Sequence, residues 1–274
     1  MRRIFVIVCC PMLMFPAACT KLASSDIASL LSLTGSIGNR TVFGASDGTN
    51  GTEIWVSDGT ESGTHMLKNI NPGAADSFPF YFAALESLVL FNANDGTNGN
   101  ELWVTDGTEV GTQMLMNIAT GSNSSSPQGL VAMAGMVFFQ ARDTTNGIEP
   151  WISDGTSGGT FMIENIRTGD SWPSQFTRNA GGLVYFTATD DTHGQELFYT
   201  NLTGDYALLW KDIYANVGSS NPGYLFTIGN TLYFSADDGT VNGQELWGTD
   251  GTDAGTLLLA DINPGSGDSY PYFE

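Results

Sequence analysis

Glu53-Ile54-Trp55-Val56-Ser57-Asp58-Gly59-Thr60 decides the fold, because the chain writes it repeatedly. It returns as Glu101-Leu102-Trp103-Val104-Thr105-Asp106-Gly107-Thr108 and as Glu149-Pro150-Trp151-Ile152-Ser153-Asp154-Gly155-Thr156. A worn copy follows at Glu196-Leu197-Phe198-Tyr199-Thr200-Asn201, and a clean one at Glu245-Leu246-Trp247-Gly248-Thr249-Asp250-Gly251-Thr252. The aromatic position (55, 103, 151, 198, 247) advances by 48, 48, 47 and 49 residues, so five units of one kind stand in tandem.

Working outward from the quoted stretch, each unit contains four strand-like pieces. In the last one these are Tyr224–Ile228, Thr231–Ala236, Glu245–Thr249 and Thr256–Ile262, separated by Gly229-Asn230, Asp238-Gly239 and Asp250-Gly251. Short runs of Val, Leu, Tyr and Phe punctuated by Asp-Gly and Asn-Gly turns predict antiparallel hairpins, not helices. The second pieces are apolar almost throughout: Val89-Leu90-Phe91, Val137-Phe138-Phe139, Val184-Tyr185-Phe186, Leu232-Tyr233-Phe234. Strict alternation is lost when both faces of a strand are buried, as between stacked sheets. The reading is therefore all-β, a β-propeller of five blades of four antiparallel strands. A truncated larger propeller and a β-solenoid are the alternatives. The motif resembles the bacterial ELWxxDGT-repeat proteins over residues 31–274, which implies kelch-like propeller blades. Leu31–Ile37 reads like an innermost strand, and Ser269–Glu274 like the beginning of another. The five copies are expected to close a ring, with the last stretch clipped onto the first blade unless the array is longer.

The N-terminus reads as an export signal. Arg2 and Arg3 precede an apolar run from Ile4 to Phe15, then Pro16-Ala17-Ala18 and Cys19. The run is short of the roughly 20 apolar residues that span a bilayer, so residues 1–18 are expected to be a cleaved signal peptide. A cysteine after Ala-Ala resembles the lipobox of bacterial lipoproteins, which implies acylation at Cys19, a tether over 19–30 and a five-repeat domain over 31–274. The expected address is the outer membrane or cell surface, lipid-anchored, with a secreted or periplasmic protein as the alternative. The chain carries 9 basic and 29 acidic residues, a net −20 at pH 7. That charge repels nucleic acid and anionic lipid, leaving the lipid anchor as the one expected membrane contact. The propeller is expected as a monomer.

Candidate functional residues come from the loops. Asp47, Asp95, Asp143, Asp190 and Asp238 open turns that end at Glu53, Glu101, Glu149, Glu196 and Glu245. Asp-Gly-Thr-Asn-Gly-x-Glu offers calcium-type oxygen ligands, but it lacks the spacing of a known calcium loop. Asx-turn chemistry explains the pattern better, so no metal or cofactor is assigned, with Ca²⁺ kept as the alternative. The same turn chemistry accounts for Asp58, Asp106, Asp154 and Asp250. The repeated tryptophans suit blade-to-blade packing. Ser77, Ser125, Ser171, Ser220 and Ser269 each precede x-Pro, and are expected to ring one mouth of the channel on the face that carries the aspartate turns. Trp172, the x of one such loop, is the better ligand platform. Two histidines and no cysteine beyond Cys19 leave no nucleophilic triad. The reading is a cell-envelope binding module for a protein or glycan ligand; the alternative is a glycan-active hydrolase or lyase using channel carboxylates.

Overall fold

The computed structural model describes residues 34–272. The candidate signal, Cys19 and the tether lie outside the described residues. Among the described residues there is no helix, and none therefore that is long and apolar enough to cross a membrane.

The first blade comprises β1 (Thr34–Ile37), β2 (Arg40–Ser46), β3 (Thr52–Ser57) and β4 (His65–Lys68). The second holds β5 (Phe80–Leu85), β6 (Leu88–Asn94), β7 (Asn100–Thr105) and β8 (Gln113–Met116). The third holds β9 (Gln128–Met133), β10 (Met136–Asp143), β11 (Gly147–Ser153) and β12 (Thr160–Met162). The fourth holds β13 (Ser174–Arg178), β14 (Val184–Asp190), β15 (Gly194–Thr200) and β16 (Leu208–Lys211). The fifth holds β17 (Gly223–Ile228), β18 (Thr231–Asp237), β19 (Gln244–Thr249) and β20 (Leu257–Ala260). Each blade is a four-stranded antiparallel meander in chain order. These are the five propeller blades that the repeat predicts, and hairpins of this kind set the solenoid aside.

Register follows from the turns. The β2–β3 hairpin pairs Phe43 with Trp55 and Ala45 with Glu53, and the same pairing joins Phe91 to Trp103 and Phe139 to Trp151. Each such turn ends on a glycine in the left-handed region: Gly51, Gly99, Gly147, Gly194 and Gly243, with φ of 74°, 77°, 88°, 75° and 67°. A Cβ there would collide with backbone of the loop that leads into the next blade, so only glycine lets the two approach.

The first strands are innermost, since each packs on that of the next blade: β1 on β5, β5 on β9, β9 on β13, β13 on β17. The core is four apolar layers between blades. In the first, Val42, Ile54, Val56 and Ile70 of one blade meet Val89, Phe91 and Trp103 of the next. Leu90, Leu102 and Ile118 against Phe139 and Trp151 form the second layer, and Phe138, Ile152 and Ile163 against Phe186 and Phe198 the third. Tyr185, Leu197 and Ile213 against Phe234 and Trp247 complete the set. The repeated aromatic of the second to fifth blades thus seals blade to blade, as expected.

Among the described residues the circle does not close. No packing of that kind joins β17 to β1 among the described residues. The forward face of the fifth blade shows it directly: Ile70, Ile118 and Ile213 are 4%, 5% and 7% exposed, whereas Ile262, at the same repeat position, is 55% exposed. Phe43 and Trp55, on the rear face of the first blade, are only half-buried.

Candidate functional site

The repeat's glutamate and the Ser-x-Pro serine, which the sequence presents as separate motifs, are one device. Ser77 Oγ donates to Glu53 Oε2 at 2.7 Å, and Ser125, Ser171, Ser220 and Ser269 do the same to Glu101, Glu149, Glu196 and Glu245 at 2.7, 2.7, 2.5 and 2.7 Å. The same carboxylates accept from the backbone N–H of Ile70, Ile118, Ile166, Ile213 and Ile262. The serine carbonyl then accepts from the second strand of the following blade: Asn94 N–H on Ser77, Arg142 N–H on Ser125, Thr189 N–H on Ser171, Asp237 N–H on Ser220. Each of the first four glutamates therefore clasps the start of the next blade to the third strand of its own, while Glu245 holds the Ser269 loop after the last blade. The first four serines are buried outright and Ser269 is half-buried, so they do not ring an open mouth. A buried hydroxyl needs a partner, and here the partner is a carboxylate.

Burial raises the pKa of Glu53, Glu101 and Glu196, against the serine and backbone donors that hold the charged form. Glu149 is pushed furthest, from the ordinary 4.5 to about 7, again by burial. Its Oε2 is bonded to Ser171 and Ile166, while its Oε1 has no hydrogen-bond partner.

The turn aspartates close their own loops. Asp47 Oδ1 accepts from Thr49 N–H and Asn50 N–H, both at 2.8 Å, and its Oδ2 from Asn50 Nδ2. The Asn50 backbone N–H, with Thr49, holds the Asp47 carboxyl below the usual range. Asp95 and Asp143 repeat the arrangement, and His193 replaces the asparagine at Asp190. Asp238 instead accepts from the N–H and Oγ1 of Thr240. In the outer hairpins Asp58, Asp106, Asp154 and Asp250 each accept from the threonine two residues on. The worn fourth copy keeps this turn through Asn201, which accepts from Thr203 N–H. Turn aspartate and clasp glutamate thus face different partners. No group of three or more His, Cys, Asp or Glu converges among the described residues.

What the copies share does the same structural work five times. Exposed positions where the copies differ are therefore the ones that set one blade apart from another. Those lie on the face that carries the β2–β3 turns and the Ser-x-Pro loops, which the 2.5 Å bond from Thr52 N–H to Asp76 Oδ1 places side by side, as the sequence expects. The x residue is left-handed in every copy: Phe78, Ser126, Trp172, Asn221 and Tyr270 have φ of 44°, 45°, 51°, 47° and 47°. A residue before proline avoids the helical region, and a non-glycine residue at positive φ is strained. The buried clasp beside it holds that conformation and turns the side chain outward. Trp172 is 52% exposed and borders a cleft of about 230 Å³ together with Ser126, Gln128, Gln140, Arg142 and Ile148. Arg142 is paired to Asp170 at 2.7 Å and also borders a second cleft, beside Asp143. The positions matching Arg142 in the other blades hold Ser46, Asn94, Thr189 and Asp237. Trp172 was singled out from the sequence. Arg142, Gln128 and Gln140 were not, and their departure from the other four copies was the available signal.

The innermost strands β1, β5, β9, β13 and β17 contain no Asp or Glu. The carboxylate pair that a channel hydrolase requires is therefore missing from the strands nearest the axis.

No family model matches the chain, and no curated protein matches it in sequence. Among solved structures, the fold is similar to one from a study of two prolyl endopeptidases, with a TM-score of 0.51 at 11% identity over 83% of this chain. The chain spans 34% of that protein's length. TolB from Acinetobacter baumannii matches with a TM-score of 0.44 at 10% identity, over 80% of this chain and 52% of that one. A puromycin hydrolase gives 0.46 at 13%, over 83% of this chain and 39% of its own. At these identities the likeness concerns the fold alone.

Proposed function

We propose that this protein is a cell-envelope binding module, and that its ligand, of glycan type, seats on Trp172 between the third and fourth blades. The observation that carries the reading is the cleft. An exposed indole held in strained backbone stands beside a guanidinium, two carboxamides and a hydroxyl, at positions where the repeat is broken. An aromatic face with convergent donors and acceptors suits a sugar ring, whose apolar face stacks while its hydroxyls hydrogen-bond. Arg142, already paired to Asp170, offers its remaining N–H donors to the hydroxyls of such a ligand. Isothermal titration against a panel of neutral and acidic oligosaccharides tests this. Trp172→Ala should weaken the bound member at least about tenfold, roughly 1.4 kcal/mol, while the melting temperature stays put because the ring is exposed. Unchanged binding in Trp172→Ala would overturn the assignment.

Export and anchoring through Cys19 belong to the same proposal. They are supported by the charged, apolar and small-residue order of residues 1–19. Cys19→Ala should move the protein from the membrane to the soluble fraction of producing cells, and retention in the membrane would refute acylation at that residue.

A further inference from the structure

The two end faces of the blade array are halves of an interface that the molecule already makes four times. Inside the chain, a forward face built on Leu67 and Ile70, or on Ile163, receives a rear face built on an aromatic pair: Phe91 with Trp103, or Phe186 with Phe198. The fifth blade carries the forward set, with Ile228, Leu259 and Ile262 all exposed, while Ile37 and Leu85, at the position of Ile228, are buried. The first blade carries the rear set, with Phe43 and Trp55 half-buried while Phe91, Phe139, Trp103 and Trp151 are buried. Exposed apolar area of this sort marks an interaction surface.

We infer that the forward face of the fifth blade docks the rear face of the first blade of a second copy of this chain, head to tail. The shape and chemistry that fit it are those of a rear face of this repeat. Every molecule that exposes one half exposes the other, so the complementary surface is always present at equal concentration. Two different patches meet, so the contact is heterologous and leads to rings or open chains of copies, not a twofold dimer. The net charge of −20 opposes it, and association therefore strengthens as salt screens the repulsion.

Sedimentation velocity on the full chain tests this, with Cys19→Ala so that no lipid joins copies, at rising protein concentration and at two ionic strengths. Wild-type end faces should give species of two copies and more that grow with concentration and with salt. Leu259→Asp with Ile262→Asp should sediment as a monomer at every concentration. So should Phe43→Asp, with Thr41→Arg on the same rear face as the substitute should that variant fail to fold. Mixing the forward-face and rear-face variants should restore a two-copy species that grows no further, because each supplies one intact half. A monomeric wild type, assemblies that these substitutions leave untouched, or a mixture that stays monomeric would each overturn the inference.

Discussion

Glu101→Ala should lower the unfolding free energy by about 3 kcal/mol or more, since each buried donor left without an acceptor costs about 1–3 kcal/mol. The donors at stake are Ser125 N–H and Ile118 N–H, at 3.0 and 2.7 Å from the carboxylate, while Ser125 Oγ, 2.7 Å from it, keeps the Asn100 carbonyl at 3.2 Å. Urea titration followed by tryptophan fluorescence reads the loss as a lower midpoint. Glu101→Gln keeps one acceptor oxygen and should lose less. An alanine variant as stable as wild type would mean that the clasp contributes nothing. The companion effect is in pH. Burial raises Glu149 to about 7 from an unfolded value near 4.5, so the native state holds its proton more tightly than the unfolded chain. Stability from this group is therefore fully present below about pH 4.5 and is lost as pH rises through about 7. The difference between wild type and Glu149→Gln should carry that slope, and a pH-independent difference would remove the argument.

Ile118→Ala and Ile262→Ala make the same chemical change at the same repeat position, and should behave very differently. Ile118 is sealed between the second and third blades, and its truncation should cost about 2–5 kcal/mol through lost burial and the cavity left behind. Ile262 faces outward, and in monomer its truncation should stay within about 0.5 kcal/mol, as at other surface positions. Denaturation at low salt and low protein concentration keeps the comparison to single molecules. Equal costs at the two positions would show that the fifth blade is covered in solution, against its exposure here.

The sequence reading reached the strands, the hairpin turns, the number of blades and the packing role of the tryptophans. Each of those is written locally, in Asp-Gly turns and β-branched runs that act over a few residues. It placed the Ser-x-Pro serines at one mouth of the channel, because the strand after each was expected to be innermost and loops at such a mouth lie at the surface. Their partners are the glutamates 24 residues upstream (22 in the third unit), and that recurring separation was the legible trace of the clasp. Ring closure was beyond local pattern altogether. Ile262 sits in the same local sequence as Ile70, and what differs is whether a sixth set of aromatics lies against it. The cleft was half legible: Trp172 stands out as an aromatic in a loop, while Gln128, Gln140 and Arg142 gather beside it only once β9, β10 and β11 lie side by side.

Because each described blade is fastened to its successor through one carboxylate and packs on its neighbours, the molecule is thermodynamically a short one-dimensional chain of coupled links. The outer links have a single companion and fray before the middle. The third blade, which contributes most of the cleft beside Trp172, is the central link, so the proposed ligand cleft is housed where thermal opening reaches last.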